Sequence, residues 1–482
     1  MNRICRFGED AGNILIMSVV LVALLVATAM SYLKWSANER WDSAYEEATI
    51  QAYFLAQAGL IEQGLEYLRT RKPTDLPRGS VMLPPKVIPG VGKYFNTTIR
   101  RVGELSQGSV FQRTDTYDLF STGRATFNDQ QLGLRHLGRK ARVERIATMR
   151  ARLRSFANYM YLTNFEATGF NEIIWFWTRD TLWGRTHSND YIGLQDSPCF
   201  YGPISTSKDE FIYDRRGNIH FEYPPVFNAP PVYFPRTAET LRKNALHISS
   251  LDGRLLTRIS FQGGAGIDVR QFVLGDLPEE VSYQHLAMIE WGAIFVDGQA
   301  EIEGEVAGRV TVGSAGDMWL IDNIYYSGAD SNNGFFVESA MTNLLGLVSE
   351  KNIFIRDNPV NGKRDGWNHE RGNQNSHSIV IDAGMVALDE SFTFEHQNDE
   401  WEPYQGPSPD DRGIIHLKGS VTQWRRGYVH RSNHISTGYG KDYHYDFRFD
   451  QRPPPYYLEA LDENGNGLFD IVSWGELEPR HN

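Results

Sequence analysis

Asp462, Asn464 and Asn466 place oxygen side chains at the first, third and fifth positions of a short loop, with Gly467 next. The Leu468 carbonyl and the Asp470 carboxylate follow at the seventh and ninth positions, the order of the first half of a calcium loop. Calcium takes six to eight oxygens, and a glycine after the third ligand lets the chain wrap the ion. The twelfth position is Ser473 where a bidentate acid is expected, and Glu476 lies three residues beyond. Two readings stay open: structural calcium held by Asp462, Asn464, Asn466, Leu468 and Asp470, or an Asn/Gly turn.

Other chemistry-bearing residues are sparser. In Gly184-Arg185-Thr186-His187-Ser188-Asn189 a single histidine has no acid at ligand spacing, which predicts a turn held by side-chain hydrogen bonds. His430, His434 and His444 fall near Tyr439, Tyr443 and Tyr445, a cluster able to stack sugars or to fill a cap. Asp446 and Asp450 lie four apart without a helical face to align them as an acid pair. Cys199 reads as packing, and Gly263-Gly264-Ala265-Gly266 as a turn. The sequence contains no G-x-x-x-x-G-K-[ST], H-E-x-x-H or G-x-S-x-G, so no catalytic residue is assigned and the chain reads as non-enzymatic. With 48 Lys plus Arg against 60 Asp plus Glu, the net charge of −12 speaks against a nucleic-acid partner. Two cysteines exclude a disulfide framework.

The elements that must position these residues begin with an uncharged apolar run, Ile14 to Leu33, long enough to span a bilayer. Arg3 and Arg6 precede it, which predicts a cytoplasmic N-terminus and a single pass through the inner membrane, with the body periplasmic or extracellular. The rival is a cleaved signal peptide ending at Ala27-Thr28-Ala29. Neither Gly nor Pro occurs from Asn13 to Ala58, and a helix from Ile14 to Arg71 would be roughly 85 Å long. Ala44, Ala48, Ala52 and Ala56 share one face, through helix propensity alone or for close packing.

Gly12-Asn13-Ile14-Leu15-Ile16, the apolar run and Ala52-Tyr53-Phe54-Leu55-Ala56-Gln57-Ala58-Gly59-Leu60 resemble the PilX-type branch of type IV pilus-assembly proteins. Gln57 stands where that branch usually has Glu, and Met17 where ordinary pilins carry their glutamate. The resemblance implies processing between Gly12 and Asn13, and pilin-like proteins of a filament or secretion system as partners. Further on, Asp180 to Asn189, Phe200-Tyr201-Gly202, Gly438 to Asp446 and Pro453-Pro454-Pro455-Tyr456-Tyr457 resemble a bacterial domain family of unknown function found behind PilX-like N-termini. The Asp462 loop is similar to calcium repeats of dockerin and thrombospondin type.

The expected class is α+β: a long N-terminal transmembrane helix, a small mixed region and a mainly β body built as a right-handed β-helix (solenoid). The short runs Ile294-Phe295-Val296, Ala300-Glu301-Ile302, Val310-Thr311-Val312, Ile353-Phe354-Ile355, Ile379-Val380-Ile381 and Met385-Val386-Ala387, each closed by a turn signal, suggest stacked rungs. The expected divisions are a basic leader (1–12), an extended helix (13–72), a Pro-rich linker (73–92), a mixed region (93–174), the β body (175–460) and a tail with the candidate calcium loop (461–482). The functional expectation is a membrane-anchored, PilX-like accessory component, adhesive toward a surface polysaccharide in one version. The alternative is a membrane-tethered carbohydrate-active β-helix enzyme, its acids drawn from separate rungs.

Overall fold

The computed structural model describes residues 9–102, 116–128, 140–168, 172–178, 180–275, 279–290, 292–358, 378–397, 410–431 and 437–477. Arg3, Arg6, Arg135, Arg139 and His434 lie outside the described residues.

A long N-terminal apolar helix is followed by a mainly β body. The helix runs Glu9–Gly59 and continues through a π-helical Leu60–Leu65 into Glu66–Arg69, stopping before Pro73. It has two unlike halves. Its membrane-length stretch from Asn13 has no buried part, so Ile14, Leu21 and Leu25 are all exposed. Its second half buries Ala48, Ala52, Leu55, Ala56, Leu60 and Leu68 against an antiparallel sheet. The alanine stripe is therefore a packing face. Opposite it, Gly123 lies so close that a Cβ would collide with the Ala52 carbonyl oxygen, which fixes both small residues together.

That sheet has the order Ser80–Leu83, Gly92–Val102, Thr116–Asn128, Lys140–Leu153, Phe469–Leu477. Two expectations are corrected here. The Pro-rich segment 73–92 is no spacer: Ser80–Leu83 and Lys86–Ile88 both pair with Gly92–Val102, and Lys86 meets Glu62 of the helix at 2.6 Å. Its prolines fall outside the strands, in turns and links, so no ladder donor is lost. Nor is 461–482 a separate tail, because Phe469–Leu477 pairs antiparallel with Lys140–Leu153. The arginine-rich strand Lys140–Leu153 finds acids across the sheet, Arg150 with Asp118 at 2.7 Å and Arg145 with Glu476.

Between Leu153 and Phe469 lies the β body, its strands joined in a curled network. In its first ladder, in-register parallel pairing aligns Leu246, Ile294, Val312, Leu347, Met385, Val421, Tyr161, Thr186 and Ile204 in one column. A second parallel ladder runs through Leu255–Gln262, Gln299–Val306, Met318–Tyr326 and onward to Thr437–Tyr445. The chain enters the column at Tyr161, inside it and third from one end, and proceeds through Thr186 to Ile204 at that end. It then runs back along the body to restart at Leu246. The return strap is traceable by its contacts: Val232 bonds Asn189, Arg236 meets Asp389, Ala238 meets Glu350 and Arg242 meets Asp297. Inward side chains such as Ile294, Val312, Leu347 and Met385 are fully buried, forming one continuous apolar core.

Candidate functional site

The Asp462 loop folds as a hydrogen-bonded turn. Asp462 Oδ1 accepts the backbone N–H groups of Asn464 and Asn466 at 2.9 and 2.8 Å, and Oδ2 accepts Asn466 Nδ2 at 3.1 Å. The Leu468 carbonyl takes the Arg154 N–H at 2.8 Å. Asp470 turns away to Arg154 at 2.6 Å and Arg185 at 2.9 Å; burial raises its pKa, and the two guanidinium groups outweigh that to hold it below the usual range. In this fold the Asp462 and Asp470 carboxylates and the Leu468 carbonyl serve N–H and guanidinium partners, and a bound calcium ion would have to draw them away. Gly12 and Asn13 lie within the first turns of the helix.

The other readings resolve similarly. His187 is buried, its Nδ1 2.8 Å from Ser205 Oγ and its Nε2 3.1 Å from Asn189 Oδ1. Burial, against the Asn189 bond and with Arg154 and Arg185 nearby, depresses its pKa to about 4. The side-chain hydrogen bonds that the sequence suggested are present, but His187 sits in a buried parallel strand, Thr186–Ser188, paired on both sides, and not in a turn. Asp446 pairs with Arg448 at 2.6 Å while Asp450 accepts the Tyr445 hydroxyl at 2.8 Å, so they form no acid pair. His444 and His416 share Asp442. Gly263–Ala265 is the turn of a hairpin.

The two motif segments Asp180–Asn189 and Gly438–Asp446 meet. Lys441 donates to Asp180 at 2.8 Å, Trp183 bridges to His444, and Trp183 stacks on Tyr201 with ring centroids 4.0 Å apart. Beside them opens a cavity of about 590 Å³, within the usual range of small-molecule sites. Trp175, Trp177, Tyr428, Arg426, Lys441 and Tyr443 are among its lining residues.

Buried ion pairs fix these walls. Arg426, 3% exposed, donates to Glu166 at 2.9 Å and to the Ile174 and Trp175 carbonyls, while its guanidinium lies 3.7 Å from the Phe176 ring centre. The 172–177 segment is thereby pinned to the end of the Asp410–Arg425 strand, where that strand pairs with Tyr161–Phe165. Asp180 Oδ2 accepts the Trp177 N–H at 3.2 Å, holding that residue's backbone, while Oδ1 takes Lys441. Desolvation lowers the Lys441 pKa against the attraction of Asp180. Glu172 accepts the Tyr428 hydroxyl at 3.0 Å. The Tyr443 hydroxyl is buried with no hydrogen-bond partner, and burial pushes its pKa well up. Sequence reasoning reached Asp180, Lys441, His430 and Tyr443 by resemblance or as a cluster, and missed Trp175, Trp177 and Arg426. A Trp-x-Trp pair beside the Asp180 motif was the available signal. Among the described residues no group of three or more His, Cys, Asp or Glu is arranged to hold a metal.

No protein-family model matches the chain, and no curated protein matches it. Among solved structures it is similar to the competence-associated pilin ComZ from Thermus thermophilus. The identity is 13% and the TM-score 0.28, over 89% of this chain and 98% of that one.

Proposed function

We propose that the chain is a non-catalytic, pilin-like subunit or accessory component of a type IV pilus or related filament or secretion machine, in the manner of the PilX branch. The observation that carries this reading is the division of one helix into an exposed apolar half and a half packed on its own sheet. A helix in a self-contained domain would bury its apolar side chains. Here the exposed run from Ile14 to Leu33 is left for a bilayer, or for the like helices of neighbouring subunits once drawn into a filament. The helix is the single-pass anchor in the inner membrane, the N-terminus is cytoplasmic and the body stands outside. We read that body as a right-handed β-helix, whose stacked rungs make a stiff head without an assigned catalytic group. Processing then falls between Gly12 and Asn13.

Purification of the chain from its native membrane tests the assignment by two readouts. Mature protein starting at Asn13, recovered together with pilin-like proteins, is the expected result. A chain starting at Met30 with no pilin-like companion would end the proposal.

A further inference from the structure

We infer that the cavity between the 172–182 segment and the Arg426–Tyr443 region is a binding site for a neutral saccharide. The inference concerns the body alone and stands whether or not the chain enters a filament.

Charge comes first. Arg426 is matched by Glu166 at 2.9 Å and Lys441 by Asp180 at 2.8 Å, so the two innermost cations already have carboxylates. An anionic ligand would have to compete with these buried carboxylates, each held by further hydrogen bonds. Arg431 lies over the Tyr428 ring at 4.9 Å, and Tyr428 is itself tied to Glu172. The walls thus offer dipolar pairs, with no unmatched inner cation to draw an acid.

Polarity comes second. A wholly apolar ligand would seal the Lys441 ammonium, which spends one donor on Asp180 and retains two. It would also leave the Tyr443 hydroxyl, 8% exposed at the residue level and without a partner, unsatisfied. Both groups line the cavity, and both ask for hydroxyl oxygens.

The third observation is the aromatic wall. Trp175, Trp177 and Tyr428 are half-buried rings on the same cavity, able to cover an apolar face of a ligand that carries hydroxyls on its rim. A pyranose has that combination: a C–H face and equatorial hydroxyls that both donate and accept. The site is built in advance, since buried ion pairs anchor the backbone of the Trp-bearing segment, so little ordering accompanies binding.

The experiment uses the full chain in detergent micelles, titrated with maltotriose, triacetylchitotriose and trigalacturonate, and read by tryptophan fluorescence and calorimetry. At least one of the two neutral trisaccharides should saturate and should outbind trigalacturonate. Trp177→Ala should weaken it by about tenfold or more. Tyr443→Phe removes only the unpartnered hydroxyl. It should weaken binding by about fivefold and leave the melting temperature unchanged or higher, which separates ligand contact from folding. Tighter binding of trigalacturonate, saturation by neither neutral probe at millimolar concentration, or unaltered affinity in Tyr443→Phe would overturn the inference.

Discussion

The helix–sheet unit and the β body solve the same burial problem in opposite ways. In the sheet, one face takes the helix and the other faces water, so its strands carry alternating classes of residue. The outward arginines of Lys140–Leu153 then find acids on the adjoining strands. In the body, strands such as Leu344–Ser349 and Gly384–Ala387 are buried along their entire length. Their outer face is covered too: Tyr457 from the proline cluster lies against Gly346 and Gly384, where an added Cβ would meet it at 2.8 and 3.0 Å. The lesson is about tolerance. The sheet is sensitive at the few points of closest helix approach, whereas the body is sensitive wherever a polar group is enclosed.

The largest expected effect lies at the helix contact. Gly123→Val forces a side chain into the Ala52 and Ala56 backbone and should destabilise the helix–sheet unit by about 3 kcal/mol. Hydrogen exchange in residues 48–68 reads this directly. Gly264→Ala in the body's hairpin turn, where an added Cβ meets nothing within 4 Å, should leave both regions unchanged. Equal loss in the two variants would abolish the contrast.

Acid should separate the regions next. His187 titrates near 4 in the folded body against about 6.5 unfolded, so the unfolded chain binds the extra proton between those values. Stability from this group is complete above about pH 6.5 and is lost as the pH falls toward 4, by about 2 kcal/mol at pH 5. In the sheet, burial raises the pKa of Asp118, but Arg150 and Arg100 bring it below its ordinary value. Its contribution persists until lower pH. Body signals should therefore fade before sheet signals in an acid titration, and His187→Gln should flatten the body's slope between pH 6.5 and 5. The reverse order of loss contradicts the comparison.

The smallest effect is expected at the junction. Because Asp470 serves Arg154 and Arg185, calcium or EDTA should move the melting temperature by less than about 1 °C. A calcium-dependent rise of several degrees would mean that Asp470 leaves its arginines for the Asp462 loop.

Much of the body was legible because its short strands are spelled locally. Triplets such as Ile353-Phe354-Ile355 and Ile379-Val380-Ile381 are apolar, partly β-branched and closed by turns, and each is a strand. The alanine stripe likewise announced a packing face, although not that a sheet would fill it. What stayed hidden depends on distant partners. Nothing near Phe469 indicates that it pairs with Leu153, and nothing near Tyr161 that it stacks on Val421. At the Asp462 loop the sequence left calcium and a turn open, because a turn that caps its own N–H groups uses the same oxygen spacing as a cation site. Pro84 and Pro85 misled because they form the short link between two strands, Ser80–Leu83 and Lys86–Ile88, and no spacer. The cavity draws Trp175, Arg426 and Lys441 from segments that only the stacked ladders bring together.

The late return of Phe469–Leu477 has a consequence for the order of events during synthesis. Arg154 and its partner Asp470 are 316 residues apart in sequence. The apolar helix and five strands of its sheet emerge early, yet the Lys140–Leu153 edge stays open until the entire body has been made. Such distant closure is slow, and an open strand edge is a template for wrong pairing. In that interval the nascent chain is at its most vulnerable to association with its own copies. Inserted in a bilayer as proposed, the early helix would limit how such edges approach one another, and would aid folding as well as attachment.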